Sequence, residues 1–133
     1  MIDIEKQIAF WRDGGVVNVI QQYLYACKNQ GLKICFGVVF GSQAQGSAQA
    51  WSDIDLIVVS PQFDSGRSQS DLDMLWETAA LIDSRIEPIA CGEWQWEHDD
   101  TSTIIEVARR EGIRIDLPKE MPTPTITESK NIT

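Results

Sequence analysis

Basic side chains are scarce in this 133-residue chain: eleven Lys and Arg stand against twenty Asp and Glu, a formal charge of −9. Nucleic acids are gripped by clustered cations that neutralise phosphates. Here the bases are scattered, with Arg109-Arg110 the single adjacent pair, which argues against direct nucleic-acid binding. Histidine occurs once, His98, so no His-based triad or His-rich metal centre can be built. Cysteine occurs three times (Cys27, Cys35, Cys91), an odd number without a C-x-x-C pair. Reduced thiols in or near a core are expected, not a disulfide frame or a zinc site. Long apolar runs are missing too. The longest, residues 34–40, has seven positions, against roughly 20 for a membrane-spanning helix. The opening MIDIEKQIAFWRD mixes acids into a segment where a signal peptide carries an apolar stretch. A cytoplasmic protein with no membrane partner is the expectation.

What remains is enough for one compact domain. The hydrophobic fraction is 43% with five tryptophans, too apolar for a disordered chain, and the length leaves no room for a second core. Ile4, Ile8 and Trp11 are spaced for a short helix broken by Gly14-Gly15. From Val16, the positions Ile20, Tyr23, Leu24 and Cys27 complete one helical stripe, with Gly31 suited to end it. Residues 33–40 read as a buried strand and 53–59 as a second. Residues 61–68 read as a loop, and Ser70-x-x-Asp73 as the capping box of a helix burying Leu72, Leu75, Trp76 and Ala79. A third strand is expected over 85–91, a loop bearing Trp94 and Trp96, a helix over 102–111 stopped by Gly112, and a strand over 113–117. That order predicts an α/β (α+β) domain over 1–117: a small mixed β-sheet flanked by helices. The Pro- and Thr-rich residues 118–133 are expected to be a disordered tail.

Chemistry concentrates between Val38 and Val59. A buried strand runs straight into Gly41-Ser42, where glycine permits a sharp turn and close approach of a ligand to the backbone. If Ser42 begins a helical turn, its amides converge on an anion such as phosphate. Further on, Asp53 and Asp55 flank Ile54, so strand alternation sets both carboxylates on one face while Ile54 and Leu56 enter the core. Two carboxylates side by side repel each other, and a cation relieves the repulsion. A hard, oxygen-liganded site with few protein ligands suits Mg²⁺, which takes substrate phosphates as further ligands.

Phe40-Gly41-Ser42, ten residues, and then Asp53-Ile54-Asp55-Leu56 resembles the signature of the DNA polymerase β-type nucleotidyltransferases, and among them the minimal nucleotidyltransferase proteins. The likeness runs from about residue 15 to 117. A third family carboxylate is matched by Glu87 in Arg85-Ile86-Glu87-Pro88-Ile89, and residues 104–113 are similar to the family's final helix, glycine and strand. The resemblance implies the polymerase β-like nucleotidyltransferase fold. It also implies that Asp53, Asp55 and Glu87 are the catalytic residues and hold two Mg²⁺ ions, that Gly41 and Ser42 bind the phosphates of an NTP, and that ATP is the substrate. It further implies transfer of AMP to a hydroxyl on a partner protein, the chain acting as antitoxin to a HEPN ribonuclease toxin. The length leaves no room for the helical acceptor domain of larger relatives, which fits an acceptor borrowed from a partner. One departure stands out: many members carry a basic residue where this chain has Gln45. Gln45 therefore favours a second reading, a non-catalytic nucleotide-binding or partner-masking module. Transfer to a small molecule such as an aminoglycoside is a third.

Other residues leave alternatives open. By alternation Arg85 points with Glu87, and it either contacts phosphate or pairs with a nearby acid. Trp94 and Trp96 are either edge-of-core residues or a partner-binding patch. Trp51 either stacks on a base or packs beside the strand mouth. Arg109-Arg110 are accounted for by the dipole at a helix C-terminus, and His98 by a solvated loop.

Overall fold

The computed structural model describes residues 15–41, 44 and 52–119. The expected helix before Gly14, residues Ser42, Gln45 and Trp51, and the chain beyond 119 lie outside the described residues. The elements are α1 (Val16–Asn29), β1 (Phe36–Phe40), β2 (Ile54–Val59), a 3-10 turn (Pro61–Phe63), α2 (Gln69–Ile82), β3 (Ile86–Cys91), α3 (Glu93–His98), α4 (Thr103–Glu111) and β4 (Ile113–Asp116). The four strands form one mixed sheet in the order β3-β2-β1-β4. Strand β1 is antiparallel to β2 and β4, whereas β2 and β3 are parallel and joined through α2. This is the α/β architecture expected from the sequence.

Each face of the sheet carries a layer of helices. On one, α1 and α2 close a core of Ile20, Tyr23, Leu24, Val39, Ile54, Leu56, Val58, Leu75, Ala79 and Ile86. On the other, Ile105 and Ala108 of α4 cover Phe36, Val38, Ile57, Val59 and Cys91, with Trp96 of α3 packed at the margin. The two layers follow from period-2 alternation along β2, which sends Ile54, Leu56 and Val58 one way and Ile57 and Val59 the other. Pro88 lies opposite Leu56 in edge strand β3, where a missing N–H costs least.

Helix ends fall where capping chemistry puts them. Gly31 adopts φ 104° and lets the chain leave α1, its amide donating to Lys28 O at 2.9 Å. Ser102 caps α4 through its Oγ, which accepts from the Ile105 amide. At the other end Gly112 turns the chain into β4, where a Cβ would meet Ala108 O at 2.4 Å and Val38 Cγ1 at 2.6 Å.

Three expectations are corrected. The cap of α2 is Ser68, whose Oγ accepts from the Asp71 amide at 3.1 Å, and not Ser70. On α2, Leu75, Ala79 and the partly buried Leu72 face the core as expected and Thr78 joins them, whereas Trp76 lies on the outside at 52% exposure. Thr78 is buried because it is small and because Gln30 Nε2 on α1 donates to its Oγ1 at 2.7 Å. Finally, Trp94 and Trp96 lie on a helix, not a loop. The Asp64 carboxylate holds the start of that helix, accepting from the amides of Trp94 (2.8 Å) and Gln95 (3.2 Å). The two tryptophans part company there. Trp96 meets Phe36 edge-on with Arg109 over its ring, while Trp94 is 63% exposed and stacked on His98. The cysteines are free, and burial pushes each thiol up to about 11.

Candidate active site

Strand register assembles the site. Asp55 is the second residue of β2, paired on one side with Phe40 at the end of β1 and on the other with Glu87 near the start of β3. Asp53 stands just before the strand, exposed, while Asp55 and Glu87 are half-buried. In a parallel pair, residues in register point the same way, so Asp55 and Glu87 lie side by side. The bond from the Ile54 amide to Arg85 O at 2.7 Å fixes the two strand starts to each other. Ile54 and Leu56 are fully buried in the opposite layer, which leaves the acidic side chains no way into that core.

The electrostatics match this crowding. Burial raises the Asp55 carboxyl above the ordinary carboxylate value, and the charge of Asp53 raises it further, against a hydrogen bond with Glu87. Glu87 is also raised, first by burial and then by the charge of Asp53 and by hydrogen bonds to Asp53 and Asp55. Among the described residues no group of three or more His, Cys, Asp and Glu side chains stands arranged around a metal ion. Glu87 instead takes hydrogen bonds with both Asp53 and Asp55.

The donor set nevertheless fits a hard divalent cation. Mg²⁺ is held by one or two carboxylates and completes its shell with water and phosphate, and Asp53 with Asp55 supplies that number. The turn beside them is built for close approach. Gly41 has φ 76°, and a Cβ there would lie 2.6 Å from Asp55 Oδ2. Only glycine brings backbone this close to the carboxylate. Sequence reasoning took Gly41 as a turn facing phosphate and missed its contact with Asp55, because the Phe40–Asp55 pairing is a tertiary fact.

Arg85, expected to point with Glu87, has its guanidinium on Asp83: Nη2 to Oδ2 is 2.7 Å and Nε to Oδ1 is 3.0 Å. Hydrogen bonds from Arg85 hold Asp83 below the usual carboxylate range. Asp83 is also the C-cap residue of α2, so the pair forms the corner leading from that helix into β3. Ala44, the one described residue between Gly41 and Ser52 apart from them, is helical and buried in the α1/α2 core. His98 lies on the opposite layer, its Nδ1 3.0 Å from Trp94 O.

Comparison with known proteins settles the family. Residues 26–117 match the nucleotidyltransferase domain. The chain belongs to the nucleotidyltransferase domain family. Among solved structures, this nucleotidyltransferase domain is similar to a protein from Sulfolobus solfataricus assigned as a nucleotidyltransferase: TM-score 0.55 and 16% identity, over 90% of this chain and 91% of that one. It also resembles a toxin-antitoxin structure with AMP-PNP, with TM-score 0.51 and 18% identity over 74% of each chain. At those identities the likeness is one of fold. No curated protein matches significantly. Among the described residues no helix is long and apolar enough to cross a membrane.

Proposed function

We propose that the protein is a Mg²⁺-dependent nucleotidyltransferase that moves AMP from ATP to a hydroxyl on a partner protein, acting as the antitoxin of a HEPN-type ribonuclease toxin. The observation that carries the chemistry is the register that brings Asp55 beside Glu87, with Asp53 within hydrogen-bonding reach. Asp53 and Asp55 would hold the cation, Glu87 would join them at a second ion, and Gly41 with Ser42 would take the distal phosphates. Bound Mg²⁺ supplies neutralisation of the phosphates and acidification of the acceptor hydroxyl. The hydroxyl oxygen bonds to the α-phosphorus as the bond to the α,β-bridging oxygen breaks, and pyrophosphate leaves. Glu87 or Asp55 accepts the hydroxyl proton, the role of a carboxylate set against the reacting centre. Family membership supports the reaction class, and the toxin-antitoxin neighbour of like fold supports the biological setting.

A second reading has two observations in its favour. Gln45 stands where many relatives are basic, and the Arg85 guanidinium is engaged by Asp83. A domain short of cations near its phosphate turn could mask a partner without transferring anything. One experiment separates the readings: the full chain is incubated with ATP labelled at the α-phosphate, Mg²⁺ and the product of the adjacent gene. Label on that product, lost in Asp53→Ala, supports transfer. Neutralisation of the toxin without label, undiminished in Asp53→Ala/Asp55→Ala, overturns it in favour of masking.

A further inference from the structure

Glu87 rides on an edge strand. Among the described residues β3 has β2 on one side and no strand on the other, and Glu87 is its second residue. Strand ends open more readily than strand centres, because fewer bonds hold them. If Glu87 is to stay opposite Asp55, the start of β3 needs a hold beyond its ladder with β2.

The turn that enters the strand supplies one. Asp83 sits in it with every polar group engaged. Its amide donates to Ala79 O at 2.8 Å, and its carbonyl accepts from the Ile86 amide at 3.0 Å. Oδ1 accepts from the Arg85 amide at 2.9 Å and from Arg85 Nε at 3.0 Å, while Oδ2 accepts from Nη2 at 2.7 Å. A two-pronged contact between guanidinium and carboxylate fixes direction as well as distance. The Arg85 and Asp83 side chains are 28% and 19% exposed, so the pair is partly shielded from the water that weakens surface ion pairs. The Arg85 carbonyl in turn accepts from the Ile54 amide at 2.7 Å, a rung between β3 and β2 at the site end of the sheet. Asp55 follows Ile54 by one residue, and Glu87 follows Arg85 by two. A continuous run of bonds leads from the Asp83 carboxylate through Arg85 to the strand starts that carry both acids.

Strand β4 offers a contrast. Arg114 and Asp116 also pair two residues apart on an edge strand, at 2.8 Å. Their side chains are 61% and 76% exposed, and Asp116 lies opposite Phe36, at the other end of β1 from Phe40 and the site.

We propose that Asp83 is a positioning residue: by clamping Arg85 it holds the start of β3 so that Glu87 stands beside Asp55, and Arg85 serves this clamp and not the phosphates of the nucleotide. The inference rests on the proposed reading that Glu87 acts in transfer, and it adds what keeps Glu87 in place.

Two measurements on the full chain test it, and the first involves no transfer. Amide hydrogen exchange is followed by NMR without nucleotide or metal. In Asp83→Ala it should quicken by about tenfold or more at Ile54, while the β1 amides keep the wild-type rate and report an intact fold. Asp83→Asn, which keeps an acceptor for the Arg85 amide but loses the charge, should fall between, and Asp116→Ala should match the wild type. The second measurement is transfer of α-phosphate label to the adjacent gene's product. Asp83→Ala and Arg85→Ala should each lower kcat by about 30-fold with the KM for ATP within about twofold. The double variant should be no slower than either, as for two members of one unit, and Asp116→Ala should transfer at the wild-type rate. Wild-type exchange at Ile54 in Asp83→Ala overturns the proposal. So does an unchanged kcat in Asp83→Ala where the wild type transfers label, and so do additive losses in the double variant. A raised KM for ATP at unchanged kcat in Arg85→Ala overturns it by returning Arg85 to the phosphates. Loss of the fold in both Asp83→Ala and Asp83→Asn overturns it by making the pair a support of the whole domain. Faster exchange at Ile54 in Asp83→Ala, with no label transferred by the wild type, upholds the clamp and overturns the transfer reading instead.

Discussion

Replacing Gly41 by alanine probes the site through a single carbon. Two costs arise, and they fall on different properties. The first is conformational: at φ 76° an L-residue is strained, by about 1–2 kcal/mol. The second is steric, because the new Cβ would sit 2.6 Å from Asp55 Oδ2. That oxygen ends a side chain able to swing away, so the overlap costs little stability and instead displaces the carboxylate that faces Glu87. Gly31 supplies the control. It has φ 104° with nothing within 4 Å of its missing Cβ, so Gly31→Ala carries the first cost without the second. Urea denaturation should show both variants destabilised by similar amounts, about 1–2 kcal/mol. Transfer of α-phosphate label should fall by roughly 100-fold in Gly41→Ala and stay near wild type in Gly31→Ala, the scale expected when a catalytic group moves by an ångström. Undiminished transfer by Gly41→Ala would refute the reasoning, and so would a stability loss far beyond that of Gly31→Ala.

Other consequences follow from the packing. Gly112→Ala would press a Cβ on backbone atoms, Ala108 O at 2.4 Å and Val39 O at 3.0 Å, and should destabilise by about 2–3 kcal/mol in chemical denaturation, with m unchanged. Tyr23→Phe removes a buried bond to Leu75 O of 2.8 Å. It should cost about 1 kcal/mol, measured as a shift of the denaturation midpoint. Asp99 accepts from the amides of Thr101 and Ser102 and from Gln95 Nε2, and these bonds lower its carboxyl to about 2. A depressed folded-state pKa stabilises above the unfolded value and is lost as pH falls through the folded one. Asp99→Asn should therefore lower the melting temperature at pH 7, and the difference should shrink between about pH 4 and pH 2.

The sequence made the strands legible because β1 and β2 are buried, β-branched runs, and it made the ends of α1 and α4 legible because Gly31 and Gly112 mark them. It misplaced what depends on partners far along the chain. Ser68-x-x-Asp71 and Ser70-x-x-Asp73 are the same pattern two residues apart, and only packing chooses the first. Alongside Leu72, Leu75 and Ala79, which do face the core, Trp76 satisfies the helical period as well as Thr78 does. The choice is made by Thr78, which is small enough to lie against α1 and receives Gln30. Helix α3 has no apolar stripe and begins where Asp64, some thirty residues earlier, caps it. At the site, Asp53 and Asp55 could be read from alternation alone, whereas Glu87 needed the family resemblance. Its partnership with Asp55 is a parallel register created by the α2 crossover, and no local pattern encodes it.

The central claim is that Asp53, Asp55 and Glu87 act as one cation-binding cluster. Electron paramagnetic resonance of Mn²⁺ with a non-hydrolysable ATP analogue tests it most directly, since Mn²⁺ takes the same oxygen ligands as Mg²⁺. Addition of the wild-type chain should broaden the Mn²⁺-nucleotide spectrum, and Asp53→Asn, Asp55→Asn and Glu87→Gln should each reduce that broadening. Spectra from all three variants that match the wild type's would contradict the account.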